Sequence, residues 1–128
     1  MSERWILDDY AAALAQLAEA LRVEPSSDLI KAGCIQYFEF TFELAWKSVK
    51  LMAEAQGLEP CGSPKSCLKL AFAQGWIEDE AIWLEMLAAR NRMSHTYAAA
   101  EATRIYDRLS AFLPPMQALL NSLRALPD

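Results

Sequence analysis

One short segment of the sequence gathers polar side chains that could act together on a phosphate. It reads Arg90-Asn91-Arg92-Met93-Ser94-His95-Thr96-Tyr97, and it holds the only histidine of the chain. An imidazole can accept and return a proton near neutral pH. A guanidinium can hold a phosphate through two hydrogen bonds and stabilise the charge that develops on it, and an amide such as that of Asn91 can orient either group. Together these groups suffice for RNA cleavage without a metal, in which the ribose 2′-OH attacks the neighbouring phosphate.

Arginine is concentrated around this histidine although the chain as a whole is acidic. The sequence carries 12 basic and 17 acidic residues, a formal charge of −5. Residues 90–108 hold four arginines against two acids, so this segment is +2 and the remainder is −7. We therefore predict that Arg92, Arg104 and Arg108 bind phosphate. The alternative is structural, because basic residues near the end of a helix also interact with its dipole and can cap its carbonyl groups.

The same features limit the partners of the chain. With one histidine and no close group of carboxylates, the sequence does not indicate a zinc or two-metal centre, and no cofactor is expected. An acidic chain is unsuited to coating nucleic acid broadly, but it can carry one local site for RNA or a nucleotide.

The sequence predicts a cytoplasmic protein with no membrane segment. No apolar run approaches the roughly 18 residues that span a bilayer, and the residues from Met1 to Trp5 lack the order of a signal peptide. Cys34, Cys61 and Cys67 are odd in number, which argues against a disulfide framework. We therefore expect reduced thiols.

The composition predicts that helices position these residues. Ala supplies 22 and Leu 18 of the 128 residues, whereas Val, Ile and Thr together supply 11. Ala and Leu are strong helix formers and strands favour β-branched residues, so an all-α chain is expected. The length fits one domain over residues 1–128 with one core.

Hydrophobic spacing and the placement of Ser, Pro and Gly predict five helices. They span about Glu3–Arg22, Asp28–Gln56, Pro64–Gln74, Glu78–Arg92 and Ala98–Leu123. Ser2, Ser27 and Ser63 are the expected N-caps, and Gly57 is expected to end the second helix. The Pro114-Pro115 pair predicts a kink or a restart in the last helix. Short loops between these helices favour a four- to five-helix up-and-down bundle.

The second helix is apolar on most sides between Gly33 and Trp46, which is typical of a central helix. Glu39, Glu43 and Lys47 recur at intervals of four and form a polar ridge, which is either a solvated face or helix pair, or the lining of a site. Five aromatic side chains in this helix are either all core or partly exposed to a partner. They are Tyr37, Phe38, Phe40, Phe42 and Trp46.

The motif residues carry a family resemblance. Arg90, His95 and Tyr97 are spaced as in the Arg-x4-His-x-Tyr motif of HEPN-domain proteins. The stretches Gly33–Lys47, Ser63-Pro64-Lys65 and Arg90–Tyr97 resemble the nucleotidyltransferase substrate-binding protein family, and the likeness covers nearly the whole chain. It implies a four- to five-helix up-and-down bundle similar to the C-terminal domain of kanamycin nucleotidyltransferase.

The resemblance also implies a partner and a reaction. Members of that family act beside a separate minimal nucleotidyltransferase chain, and related pairs are toxin–antitoxin modules in which the HEPN chain is a ribonuclease. Carried over here, Arg90 and His95 are the catalytic pair, Asn91 orients them, and Tyr97 is the residue that the nucleotidyltransferase modifies with AMP. HEPN sites form between two copies, which implies a homodimer, or a heterotetramer with the partner chain.

Two other functions fit the sequence. The chain could be a non-catalytic subunit that presents substrate to the nucleotidyltransferase, which the aromatic-rich second helix favours. It could also be a bundle that assembles only with itself and has no site, against which the basic segment argues.

Overall fold

The computed structural model describes residues 4–95 and 98–127, without the side chains of residues 94 and 95. Within these ranges the chain forms five α-helices and no strand, which confirms the predicted all-α class. They are α1 (Trp5–Ala20), α2 (Asp28–Ala55), α3 (Pro64–Ala73), α4 (Glu80–His95) and α5 (Ala99–Arg124). The helices pack as the predicted up-and-down bundle. None of those described combines the length and apolarity that crossing a bilayer requires.

Helix α2 lies at the centre of the bundle and contacts each of the other four helices. Its core face carries Phe38 and Phe42, whose side chains are fully buried. The Phe38 ring lies 5.4 Å from Phe112 of α5, and the Phe42 ring lies 6.3 Å from Trp83 of α4. Burying a side chain of this size contributes about 1.5–3 kcal/mol, so these rings hold α4 and α5 against α2. The predicted central position of α2 is confirmed.

Serine caps and glycine stops set the ends of α2 and α3. The Ser27 and Ser63 hydroxyl oxygens each accept a hydrogen bond from the backbone amide three residues later, at 3.4 and 3.2 Å. The Ser66 hydroxyl oxygen accepts in turn from the Ser63 amide, which completes a capping box. Gly57 and Gly75 adopt φ of 75° and 77°, a left-handed conformation that ends a helix. The predicted bounds of both helices are confirmed to within one residue.

Helix α4 is shifted toward the C-terminus relative to its predicted span. It begins two residues late because Asp79 Oδ1 accepts a hydrogen bond from the amide three residues later, at 3.1 Å, as an N-cap does. It continues to His95, three residues beyond the predicted end at Arg92. As a result, the candidate catalytic segment begins on the last turns of a helix.

Helix α1 is shorter than predicted at both ends. It begins at Trp5, after Arg4, which makes no side-chain cap, and it ends at Ala20. The predicted cap, Ser2, lies outside the described residues. The Arg4 guanidinium donates to the backbone carbonyl of Arg124 at 3.3 Å, which ties the start of α1 to the end of α5.

Helix α5 passes through Pro114 and Pro115 without ending, so the predicted restart does not occur. Each proline lacks an amide hydrogen, which leaves a carbonyl one turn earlier without its helical donor. The buried Tyr10 of α1 donates its hydroxyl hydrogen to the Met116 carbonyl at 2.6 Å, directly after the prolines. Burial raises the pKa of Tyr10 well above its usual value, so this hydroxyl stays a donor. This bond ties α1 to α5 directly after the prolines.

The cysteines depart from the prediction. Cys61 in the loop after α2 and Cys67 in α3 form a disulfide with a Cα–Cα distance of 5.1 Å, so the prediction of reduced thiols is wrong for this pair. The loop folds back onto the first turns of α3 and brings both residues into the core. An odd cysteine count excludes full pairing but not one bridge. Cys34 is a free, buried thiol whose pKa burial raises.

We predict that Tyr10→Phe lowers the free energy of unfolding by about 0.5–1.5 kcal/mol, because a buried hydrogen bond is lost without a change in shape. Urea denaturation measures this loss. Tyr106→Phe is the matched control, because the Tyr106 hydroxyl makes no hydrogen bond to the described residues. Equal losses in the two variants would contradict the role assigned to the Tyr10 bond.

Candidate functional site

The last turns of α4 direct two arginines to different neighbours. Arg90 reaches α2, where its partner is Glu43. Arg92 reaches α5, where its partner is Glu101. The end of α4 therefore connects an arginine–glutamate contact on the α2 side with a second group of arginines on the α5 side.

Arg90 is held from two directions. Its Nη2 lies 2.7 Å from Oε2 of Glu43, and its Nη1 donates to Oδ1 of Asn91 at 3.0 Å. The Glu43 oxygen is buried and accepts no aligned hydrogen bond from the described residues, so the contact with Arg90 is an ion pair of close approach and poor angle. The close approach is what matters for this pair, because a buried carboxylate oxygen needs a neighbouring positive charge. Asn91 thus contacts the Arg90 guanidinium, and its orienting role stays a prediction.

Glu43, in the middle of the polar ridge of α2, contacts Arg90 of α4. Glu43 Oε1 accepts a hydrogen bond from Trp46 Nε1 at 3.3 Å, and Oε2 faces Arg90. The predicted partner within the helix, Lys47, has its ammonium 5.9 Å from the Trp46 ring centroid. Glu43 therefore pairs across helices, and a site-lining role for the ridge stays a prediction.

Glu39 lies one turn before Glu43 and shares its electrostatic environment. Burial raises the pKa of Glu39, the positive charge of Arg90 lowers it, and the negative charge of Glu43 raises it. The first effect is the largest, so the pKa of this carboxyl stays above its ordinary value. Glu39 was not among the predicted site residues.

On the other side of α4, Glu101 bridges two of the predicted phosphate-binding arginines. Its Oε1 lies 2.5 Å from Arg92 Nε, and its Oε2 accepts a hydrogen bond from Arg104 Nε at 3.0 Å. The third arginine, Arg108, binds Glu85 of α4 with two hydrogen bonds of 2.6 and 2.9 Å. The bond from Arg108 lowers the pKa of Glu85.

These side chains line a groove of about 340 Å³ between α4 and α5. Its rim carries the three arginines and two glutamates just described, and its floor is apolar. The floor residues are Ala89, Ile105 and Phe112. The structure therefore brings Arg92, Arg104 and Arg108 together in one groove, with carboxylates in contact with all three, and their binding of phosphate stays a prediction.

Part of the candidate site lies outside the described residues. His95 is the last residue of α4, but its side chain is not described, and Tyr97 is wholly outside the described ranges. In residues 4–95 and 98–127 no group of three or more His, Cys, Asp or Glu side chains could hold a metal ion. Because the His95 side chain is not described, RNA cleavage without a metal stays a prediction.

The glutamates that pair with the arginines do not stand out in the sequence. Glu43 appears there only as a residue of the polar ridge, and no pattern marks Glu85 or Glu101 as part of a site. One local signal was present, because Glu101 and Arg104 are three residues apart and neighbours on a helix surface. The pairs of Glu43 and Glu85 cross between helices, and no local spacing reveals them.

The aromatic residues of α2 divide between core and surface. Phe38 and Phe42 are buried and Trp46 is partly buried, whereas Phe40 is 54% exposed and Tyr37 is 38% exposed. The interpretation that all five belong to the core is therefore wrong.

A larger cleft of about 410 Å³ lies between the loop after α3 and the prolines of α5. Its aromatic lining residues, Trp76 and Trp83, are almost completely buried in the core. None of the predicted site residues lines this cleft, so its size does not make it the candidate site.

Comparison with known proteins gives consistent results. Residues 6–125 match the family described as nucleotidyltransferase substrate binding protein like. The chain is 35% identical over 108 residues to a Haemophilus influenzae protein named probable ribonuclease HepT, covering 80% of this chain and 74% of that protein. A crystal structure from Thermus thermophilus is 35% identical, with a TM-score of 0.82 and coverage of 90% and 98%. A Haemophilus influenzae structure, described as the fold of a substrate binding domain of a nucleotidyltransferase, is 31% identical, with a TM-score of 0.78 and coverage of 92% and 98%.

The charges around Glu39 generate a prediction with a definite sign. Arg90→Gln removes the positive charge that lowers the pKa of Glu39, so that pKa rises further. Glu43→Gln removes the negative charge that raises it, so the pKa of Glu39 falls. Carboxyl-carbon NMR titration measures both changes. Arg124→Gln, which is remote from the site, is the control. If the pKa of Glu39 is unchanged in both site variants, Arg90 and Glu43 do not lie close enough to act on it.

Proposed function

This chain belongs to the nucleotidyltransferase substrate binding protein like family, and we propose that it is a metal-independent endoribonuclease of the HEPN type. The observation that supports this most is the fixed position of Arg90. Arg90 lies on α4, which ends at His95 five residues later. Its guanidinium contacts Glu43 of α2 and Asn91 of α4. The relative named probable ribonuclease HepT adds support from similarity.

In the proposed reaction, His95 accepts the proton of the ribose 2′-OH, whose oxygen attacks the neighbouring phosphorus. The bond from the 2′-oxygen to phosphorus forms as the bond to the 5′-oxygen breaks, and the proton returns to that leaving oxygen. Arg90 stabilises the negative charge that develops on the phosphate. Asn91 keeps the Arg90 guanidinium in place. The products are a 2′,3′-cyclic phosphate and a free 5′-hydroxyl.

We also propose that two copies of this chain form the site and that a partner chain regulates it. Two motifs facing each other in a homodimer would supply two imidazoles, so one can give a proton while the other takes one. A minimal nucleotidyltransferase chain would transfer AMP from ATP to the hydroxyl oxygen of Tyr97, two residues after His95, with pyrophosphate as the leaving group. The added phosphate is negative and would repel RNA from the site. The ribonuclease would then be the toxin and the nucleotidyltransferase its antitoxin. The assembly would be a homodimer of this chain, or a heterotetramer with the partner chain.

We predict that the purified chain cleaves single-stranded RNA in the presence of EDTA and that His95→Ala slows cleavage by about 100-fold or more, because a general base is lost. Denaturing gel electrophoresis of labelled RNA measures the rate. Arg124→Ala is the control for removal of an exposed side chain far from the site, and circular dichroism checks that each variant is folded. Equal rates for wild type and His95→Ala would exclude the proposed chemistry.

We predict that Tyr97→Phe distinguishes RNA cleavage from its inhibition by the nucleotidyltransferase in the same assay. This variant keeps the Arg90 and His95 side chains and is expected to cleave RNA at the wild-type rate. It is also expected to escape inhibition when the nucleotidyltransferase chain and ATP are added. Inhibition equal to that of wild type would show that Tyr97 is not the modified residue.

A second candidate function is supported by the exposed aromatic side chains of α2. Phe40 and Tyr37 leave apolar surface in contact with solvent on α2, the helix that also carries Glu43. Such surface is typical of a binding face. In this case the chain is a non-catalytic subunit that presents substrate to the nucleotidyltransferase, a role that matches the description of the Haemophilus influenzae structure.

We predict that Phe40→Ser weakens binding to the nucleotidyltransferase chain by about tenfold or more, because an aromatic anchor is lost from the interface. Isothermal titration calorimetry with the two purified chains measures the affinity. The matched control is Phe72→Ser, since Phe72 is similarly exposed, at 47%, but lies on α3. Equal affinities for wild type and Phe40→Ser would show that this surface does not bind the partner.

A further inference from the structure

We propose that the α4–α5 groove binds the phosphates of single-stranded RNA, and that Glu101 and Glu85 occupy its arginines until those phosphates displace them. The inference rests on the proposed ribonuclease function, since it gives the substrate a path to the catalytic segment. In this mechanism, carboxylates of the chain itself pair with the arginines until substrate phosphates replace them.

The geometry of Glu101 carries this inference. Its two carboxylate oxygens contact two different guanidinium groups, those of Arg92 at 2.5 Å and Arg104 at 3.0 Å. A phosphodiester also offers two negatively charged oxygens on one atom and can span the same two donors. Glu85 makes a two-bond contact with Arg108, which is the other geometry that guanidinium groups use for phosphate. Both glutamates thus stand where phosphate oxygens would bind.

The exposure of these pairs allows the exchange. The side chains of Arg92, Arg104 and Arg108 are 50%, 72% and 49% exposed, so RNA can reach them without unfolding any helix. Exposed ion pairs contribute little to stability, so little is lost when they separate. The groove carries three positive and two negative side chains, and displacement of the carboxylates leaves three guanidinium groups free to bind phosphates.

The spacing of the arginines favours an extended nucleic acid strand. Arg104 and Arg108 are one turn apart on α5, about 6 Å along the helix axis, which is on the scale of successive phosphates in a single strand. Arg92 lies three residues before His95 on α4, so a strand in the groove leads toward the catalytic segment.

The test measures binding separately from cleavage. A fluorescent single-stranded 2′-O-methyl oligoribonucleotide lacks the attacking hydroxyl and stays intact, and fluorescence anisotropy gives its affinity for the full chain at several salt concentrations. Arg92→Gln, Arg104→Gln and Arg108→Gln are each expected to weaken binding about threefold and to reduce the salt slope by about 0.7, the effect of one lost phosphate contact. Arg124→Gln changes the same charge at the other end of α5 and is the matched control.

The glutamate variants test the exchange itself. Glu101→Gln is expected to strengthen binding about threefold or more, because it releases two guanidinium groups. Glu54→Gln, which removes an equal charge on α2, is expected to change binding less. If the two variants change RNA affinity equally, the proposed displacement of carboxylates by phosphate is wrong. If the groove arginine variants bind RNA as tightly as wild type, the groove is not an RNA-binding site.

Two further outcomes are informative. If polyglutamate of equal charge displaces the RNA as well as unlabelled RNA does, the groove binds an acidic protein and the inference is wrong. If the groove variants behave as expected but unmodified RNA is not cleaved, the ribonuclease proposal fails while the groove as an RNA site is supported.

Discussion

The burial of the aromatic face of α2 is the constraint on which the other features depend. Phe38 and Phe42 are fully buried, and their rings contact Phe112 of α5 and Trp83 of α4. These contacts set the rotation of α2, because turning the helix would expose rings whose burial contributes about 1.5–3 kcal/mol each. The same rotation directs Glu43 toward the last turns of α4, where it meets Arg90. The polar site is therefore positioned by apolar packing.

The electrostatics of the site differ from what the composition indicates. The segment from Arg90 to Arg108 is formally +2, yet its four arginines all lie against glutamates, two of which come from outside the segment. Counting charge along the sequence therefore overstates the positive charge that solvent meets. A polyanion arriving at this surface competes with bound carboxylates, and its binding depends on the strength of the existing pairs.

The sequence predicted the helices better than their contacts. Ser27, Ser63 and Gly57 act within a few residues of themselves, so their roles could be inferred from local spacing, and the bounds of α2 and α3 were confirmed to within one residue. The bond from Tyr10 to α5 beside the prolines and the pairing of Arg90 with Glu43 depend on packing between distant segments. The Cys61–Cys67 bridge spans only six residues, but it forms because the loop after α2 folds back onto α3. The candidate site could be located on the chain, but its acidic half could not, because cross-helix partners are fixed only when the helices are packed.

The two groups of arginines differ in a way that fits two different tasks. Arg90 is 29% exposed and faces a carboxylate oxygen that is itself buried, so separating this pair would leave that oxygen without its neighbouring positive charge. The groove arginines are 49–72% exposed, and water can replace their partners. A catalytic group gains from a fixed position, because it must meet the transition state without reorganising. A group that admits and releases substrate gains from exchangeable partners. Burial, more than charge, therefore assigns Arg90 to the proposed chemistry and the groove arginines to the proposed binding.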